Sequence, residues 1–223
     1  MKLVSPDWEK QILFGSGRVP VISIEDPACL YHTYCLLLEA QERGNGPFVL
    51  SDGDRILDSR KKLLVLGSPP DMNPNDRKLL TKLFQQLKAA AYEERHMEET
   101  RQMCGSLLSY FSRLALESDT ELSYDMDIDL AELFKALHVH IDTEGRALPE
   151  KMLTFMKTWV SLAGDTCFCF NQFRNFLSME ERQLFYRNAL EEDLHFFLLE
   201  GPCCDIIEEE DVFIIDKDLC QIF

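Results

Sequence analysis

A chain of 223 residues that is 46% hydrophobic and 28% charged has enough apolar material for a globular core. Its net charge of −16 repels nucleic acid and anionic membranes on average, so any role with DNA requires the positive charge to be gathered in one place. No apolar stretch approaches the roughly 18 residues of a spanning helix, and Met1–Trp8 lacks an apolar signal core, so a soluble, cytoplasmic protein is expected.

In chain order, residues 10–24 read as paired short strands. Gln11–Phe14 and Val19–Ile24 flank a Gly15-Ser-Gly17 turn. Asp26-Pro27 supplies an N-cap followed by a first-turn proline, opening a helix through Leu30, Leu36–Leu38 and Ala40 that stops near Gly44-Asn-Gly46. Phe48–Leu50 and Leu63–Leu66 read as strands, the second continuously apolar like a strand of a buried parallel sheet. Asn73–Asp76 then caps a helical stretch over Arg77–Leu116, which holds no proline and one glycine, Gly105. Leu79, Leu80, Leu83, Phe84 and Leu87 fall at helical spacing there. About 40 residues of helix would extend roughly 60 Å, longer than a compact head needs, so a bent, paired helical protrusion is predicted.

Helices are predicted next over Asp129–Leu137 and Pro149–Leu162. After them come a strand at Cys167–Phe170, a helix over Ser178–Leu190 opened by a Ser178/Glu181 capping box, and strands at His195–Leu199 and Asp211–Ile215. This order predicts an α/β fold whose head spans 1–75 and 164–223, with a helical leg inserted over 76–163. Phe168, Phe170, Phe173 and Phe176 suit a core better than a subunit interface.

The chemistry-bearing motifs are mostly absent. None of the eight cysteines forms a C-x-x-C pair, which leaves small buried hydrophobes in a reducing compartment as the better reading. A phosphate loop needs spaced glycines and a lysine. Phe14–Pro20 has neither, and the prolines of Gly67–Asp71 remove amide donors, so nucleotide hydrolysis is disfavoured. His138-Val-His140 sits at strand spacing with no third ligand nearby, and neither G-x-S-x-G nor H-E-x-x-H occurs. The chain does not read as an enzyme.

The charge pattern is more informative. Eleven of the 23 Lys and Arg lie between Arg55 and Arg113, and Lys78 and Lys82 stand four apart with Lys88 near their face, as a stripe for a phosphate backbone would require. An ordinary solvated helix face explains the same stripe. From Glu117 to Glu132 there follow seven acids and no base: Glu117, Asp119, Glu121, Asp125, Asp127, Asp129 and Glu132. Clustered carboxylates suit a hard cation such as Ca2+, although the spacing is not that of an EF-hand and a bare acidic loop is often merely solvated.

Several stretches together resemble one family. They are Glu121–Asp125 with Ile128–Leu137, the strand Leu63–Leu66 leading to Leu79–Leu87, Cys167–Asn171 with Phe176–Glu181, Phe196–Glu200, and Asp211–Lys217. In order and spacing they are similar to the Csn-two family, the spacer-acquisition accessory proteins of type II-A CRISPR loci. The resemblance implies an α/β head related to P-loop ATPases with a degenerate nucleotide site, and a helical leg. It implies a homotetrameric ring that encircles double-stranded DNA and binds its linear ends, held in shape by Ca2+, working beside the CRISPR integrase and the effector nuclease. Carried over by position, Glu121, Asp125, Asp127 and Glu132 match the calcium segment, with Glu117, Asp119 and Asp129 adjoining and Asp142 joining from a following strand. The DNA-facing bases do not transfer one by one; Lys61, Lys62, Arg77, Lys78, Lys82 and Lys88 are nominated on charge alone. Two rival readings are a degenerate ATPase and an acidic protein-interaction adaptor with negligible affinity for DNA.

Overall fold

The computed structural model describes residues 1–44, 46–67, 69, 72–202 and 205–222. The chain divides into Met1–Pro74 with Thr143–Phe223, and Asn75–Asp142. The first unit carries two sheets. The larger has the order β10 (Gln221–Ile222), β9 (Glu210–Ile215), β3 (Val19–Ile24), β8 (His195–Glu200), β7 (Cys167–Asn171), β6 (Leu63–Leu66), all parallel except β10. The smaller is antiparallel, in the order β2 (Ile12–Leu13), β1 (Lys2–Val4), β4 (Val49–Asp52), β5 (Arg55–Ile56).

The parallel strands are nearly continuous apolar runs because both faces of the sheet are covered. Alternation along each strand sorts the residues between the faces. Cys167, Cys169, Phe197, Leu199, Ile22, Ile24 and Phe213 share one core with Leu37 of α1 (Pro27–Arg43) and with Leu3 and Leu50 of the small sheet. On the other face Phe168 meets Phe155 of α6 (Leu148–Ala163), with ring centroids 6.5 Å apart. There Phe170, Phe173 and Phe196 also close on Phe185 of α7 (Met179–Glu191), with centroids 5.2–6.2 Å apart. The expected capping box is formed: Ser178 accepts from the Glu181 amide, and the Glu181 carboxylate accepts from the Ser178 amide. Phe168, Phe170 and Phe173 are core, whereas Phe176 is exposed.

Three sequence expectations change. Residues 10–24 are not a hairpin: β2 pairs with β1, while β3 lies in the other sheet beside β8 and β9. The Gly15-Ser-Gly17 link therefore passes between sheets, with both glycines at positive φ (83° and 79°). Residues 137–142 form no strand, and His138 is left-handed at φ 53°, so the two histidines and Asp142 do not share a strand face. Helix α6 falls in the sheet-bearing unit, because Met152, Phe155 and Met156 are buried. That moves the far boundary of the helical unit from 163 to 142. Gly44-Asn-Gly46 ends α1 as expected at Gly44 (φ 69°); Asn45, like Ser68, Pro70, Asp71, Cys203 and Cys204, is outside the described residues.

The helical unit holds α3 (Arg77–Ala91), α4 (Glu94–Leu116) and α5 (Leu130–Ala136). The long stretch expected from sequence is thus two helices, broken at Tyr92-Glu93, where the Thr100 hydroxyl donates to the Ala91 carbonyl at 2.9 Å. Leu79, Phe84 and Leu130 form the small core, and Phe84 and Phe134 meet at 5.9 Å. Asn75 closes the unit: its amide donates to the Ile141 carbonyl at 3.0 Å and accepts from the Ile141 N–H at 2.7 Å.

Within the larger unit a polar cluster is buried beside the aromatic layer. Glu200, 4% exposed, accepts the Arg174 N–H at 3.1 Å, and burial pushes its carboxyl up to about 7 from the usual 4.5. A carboxyl that holds its proton more tightly when folded contributes stability that is present below about 4.5 and is lost as pH rises through about 7. Glu200→Gln removes that titration and keeps an acceptor for Arg174. In paired denaturant titrations at pH 5 and pH 8, the wild type is expected to lose more stability than the variant, by on the order of 3 kcal/mol. Equal losses in the two proteins would refute the burial argument.

Candidate functional site

Helix α3 begins at Asp76, whose carboxylate accepts the Lys78 N–H at 2.7 Å. In its 15 residues it carries Arg77, Lys78, Lys82 and Lys88 and no acid, in a chain of net charge −16. At 100° per residue those four bases fall within an arc of about 140° that also holds Thr81 and Gln85, while the buried Leu79 and Phe84 lie outside it. Arg77, Lys78 and Lys82 are exposed. This is an acid-free cationic face whose long side chains are anchored on a packed helix, as phosphate contacts require.

Lys88 differs from the other three. Its ammonium lies 2.9 Å from the Asp129 carboxylate, which raises the lysine and lowers the aspartate from their ordinary ranges, the shared hydrogen bond being the main cause. The last nominated base is therefore engaged by the acidic run. Lys61 and Lys62 end the short helix α2 (Ser59–Lys62) in the sheet-bearing unit; Lys61 is exposed and Lys62 half-buried.

The acidic run connects α4 to α5. Glu117 caps the end of α4, and residues 118–129 have no regular structure. Tyr124 fixes the segment, its hydroxyl 2.8 Å from that of Ser112 and its ring edge-on to Phe111 at 4.8 Å. Asp129 caps α5 through the Ala131 N–H and also holds Lys88. Glu132 is 2.6 Å from Lys135. Glu121, Asp125 and Asp127 are exposed. Among the described residues no group of three or more His, Cys, Asp or Glu is placed to hold a metal ion. As arranged in one chain, these acids do not fit Ca2+, which needs six to eight converging oxygens.

The other motifs resolve simply. The first strand–helix connection after β3 is Glu25-Asp26-Pro27, where Asp26 caps α1 and accepts the Cys29 N–H at 2.7 Å. Carboxylates and a proline occupy the place where a phosphate loop would present glycine amides. Cys167 and Cys169 are buried, Cys29, Cys35 and Cys104 half-buried, and Cys220 exposed; all six are free.

Sequence reasoning missed one surface. Helix α4 has no buried residue, yet Leu107, Tyr110, Phe111 and Leu114 repeat at helical spacing and are 39–53% exposed. With Tyr124 and Ile128 they line a shallow apolar groove of about 450 Å³. The same spacing rule that found Leu79–Leu87 would have found it.

Among the described residues no helix is long and apolar enough to cross a membrane. A comparison with curated proteins found no match. Among solved structures the chain is similar to the crystal structure of Stu0660 of Streptococcus thermophilus, at 14% identity and a TM-score of 0.59, over 100% of this chain and 76% of that one. At that identity the likeness speaks to fold. Residues 40–219 match the family model described as CRISPR-associated protein (Cas_Csn2), a range that holds strands β4 to β9, the cationic helix and the acidic run. The chain is a member of the Cas_Csn2 family of CRISPR-associated proteins.

Proposed function

We propose that this protein is a non-enzymatic accessory factor of CRISPR spacer acquisition that binds the ends of double-stranded DNA, without sequence specificity, as a ring of four copies. It would work beside the CRISPR integrase and the effector nuclease, with a P-loop-ATPase-like head whose nucleotide site has degenerated. The acid-free cationic face of α3, in a chain of net charge −16, carries this reading. A strongly acidic protein that concentrates bases on one helix face attracts a polyanion there and repels it elsewhere. Thr81 and Gln85 between the bases suit phosphate and sugar contacts rather than base readout. The apolar face of α4 supports self-association, since exposed aromatic and aliphatic side chains in one patch mark a contact surface. Ca2+ enters the proposal as a ligand of Glu117–Glu132 that would have to draw those carboxylates together, because their present spacing closes no cage.

The exposed acids and the α4 patch equally suit an adaptor for basic partners, so the tests separate the two readings. In fluorescence anisotropy with a linear duplex, reversing Arg77, Lys78 and Lys82 to Glu is expected to weaken binding by more than tenfold. The slope of log K against log salt should become shallower by roughly 0.9 for each phosphate that the variant no longer neutralises. Linear duplex should bind and closed-circular duplex should not; unchanged affinity in the triple variant, or no binding of either DNA, favours the adaptor.

The assembly is tested separately by solution mass. The wild type is expected at four times the chain mass, more firmly with Ca2+ than with chelator. Leu107→Glu with Phe111→Glu should yield a folded monomer, as shown by an unchanged far-ultraviolet circular dichroism spectrum. A tetramer that survives both changes would remove α4 from the interface.

A further inference from the structure

At the carboxyl ends of β7 and β8 a cleft of about 410 Å³ is lined by Gln172, Arg174, Asn175 and Arg182, with Glu200 and Asp205 on its wall. Crevices outside the carboxyl ends of parallel strands are where α/β sheets bind ligands, because the loops there are free to differ while the strands fix their roots.

The arginines are unusual. Arg182 is 5% exposed, yet its Nε and Nη1 have no hydrogen-bond partner among the described residues. Its nearest counter-charge, Glu210 Oε1, lies 3.8 Å from Nη1, too far for a hydrogen bond. Glu210 is engaged elsewhere: it accepts Arg174 Nη2 at 2.6 Å, the Tyr186 hydroxyl at 3.0 Å and the Ile207 N–H at 3.1 Å. Arg174 also keeps a buried, unpartnered Nε. Leaving charged donors dry and unpaired costs more than leaving a neutral amide so, and native proteins keep such groups where a ligand or ordered solvent meets them.

We propose that this cleft is an oxyanion site that takes a tetrahedral phosphate group between the guanidinium groups of Arg174 and Arg182. A guanidinium presents a planar fork of donors matched to two oxygens of a phosphate, so two of them flanking one cleft favour this shape over a point anion such as chloride. The Asn175 amide at the exposed rim adds a neutral donor. The charged and titratable neighbours are Glu200, Asp205, Glu210 and Tyr186. Glu200 is the carboxyl that burial pushes up to about 7, so the cleft loses a negative charge, and gains affinity for an anion, as pH falls through that value. The phosphate has two chemical sources, free phosphate or the 5′ terminus of a nucleic acid. Only the second connects with the duplex-end reading, and the site stands without it.

Calorimetry of the full chain with sodium phosphate at pH 6.5, against sodium chloride at equal ionic strength, tests the site. Saturable binding of one phosphate per chain is expected, weakened at least tenfold by Arg182→Gln and by Asn175→Asp. Asn175→Asp places the opposing charge at the exposed rim and decides the matter even if Arg182→Gln does not fold. In a second arm, duplexes with 5′-phosphate or 5′-hydroxyl ends are compared. A preference for phosphate that Asn175→Asp removes assigns the site to a DNA terminus, and equal affinities beside intact phosphate binding assign it to free phosphate. No phosphate binding above chloride, or phosphate binding unchanged in the variants, overturns the proposal. Loss of all duplex binding with phosphate binding intact would count against the DNA reading and leave the cleft standing.

Discussion

Covering the parallel sheet on both faces is the constraint from which the rest of the larger unit follows. Strands β6, β7, β8 and β3 are apolar toward both sides, so each side must be roofed. One roof is α1 together with the small antiparallel sheet; the other is α6, α7 and the phenylalanine cluster. Helix α6 is held to the sheet by Phe155 under Phe168, so this stretch belongs with strands that precede and follow the helical excursion by many residues. The same two-sided burial forces the polar ends of the strands into dry surroundings. Glu200 and Glu210 become almost inaccessible there, and arginines from α7 and the Phe173–Phe176 turn are drawn in to meet them.

The helical unit follows a different rule. Its core is small, so more of its surface chemistry is decided by charge. Helix α3 excludes acids, the segment after α4 excludes bases, and the two sets touch at Lys88 and Asp129. That pair is exposed on both sides, where an ion pair contributes little stability. Its importance is positional: it ties the start of α5 to the end of the cationic face and leaves Arg77, Lys78 and Lys82 open to solvent.

The sequence made the secondary structure and the family legible for physical reasons that can be named. Continuous apolar runs gave β6 to β8, and the Ser178/Glu181 box and the Asp26 and Asp76 caps gave three helix starts. What pattern could not show was partnership across distance. Gly15-Ser-Gly17 reads as a hairpin because local sequence does not say that β3 will pair with β8 and β9. Helix α6 read as part of the leg because an amphipathic helix does not announce which apolar surface it covers. The nominated site residues carried charge and spacing but no partners, so neither the Lys88–Asp129 pair nor the lack of a closed carboxylate set was visible. The arginine cleft was hidden for the same reason, since Arg174, Arg182, Glu200 and Glu210 are scattered along the chain and meet through the sheet.

The clasp between Asn75 and Ile141 bears on how such a chain can change over generations. Both ends of the helical unit meet within two hydrogen bonds of one side chain, so the segment between them begins and ends at one point. A turn added to α4, or a few residues inserted into or deleted from the acidic stretch, leaves the two anchoring positions where they are. Lengthening such a closed excursion costs only slowly growing loop entropy. The unit is thereby modular: its length and charge are free to vary while the sheet keeps its packing.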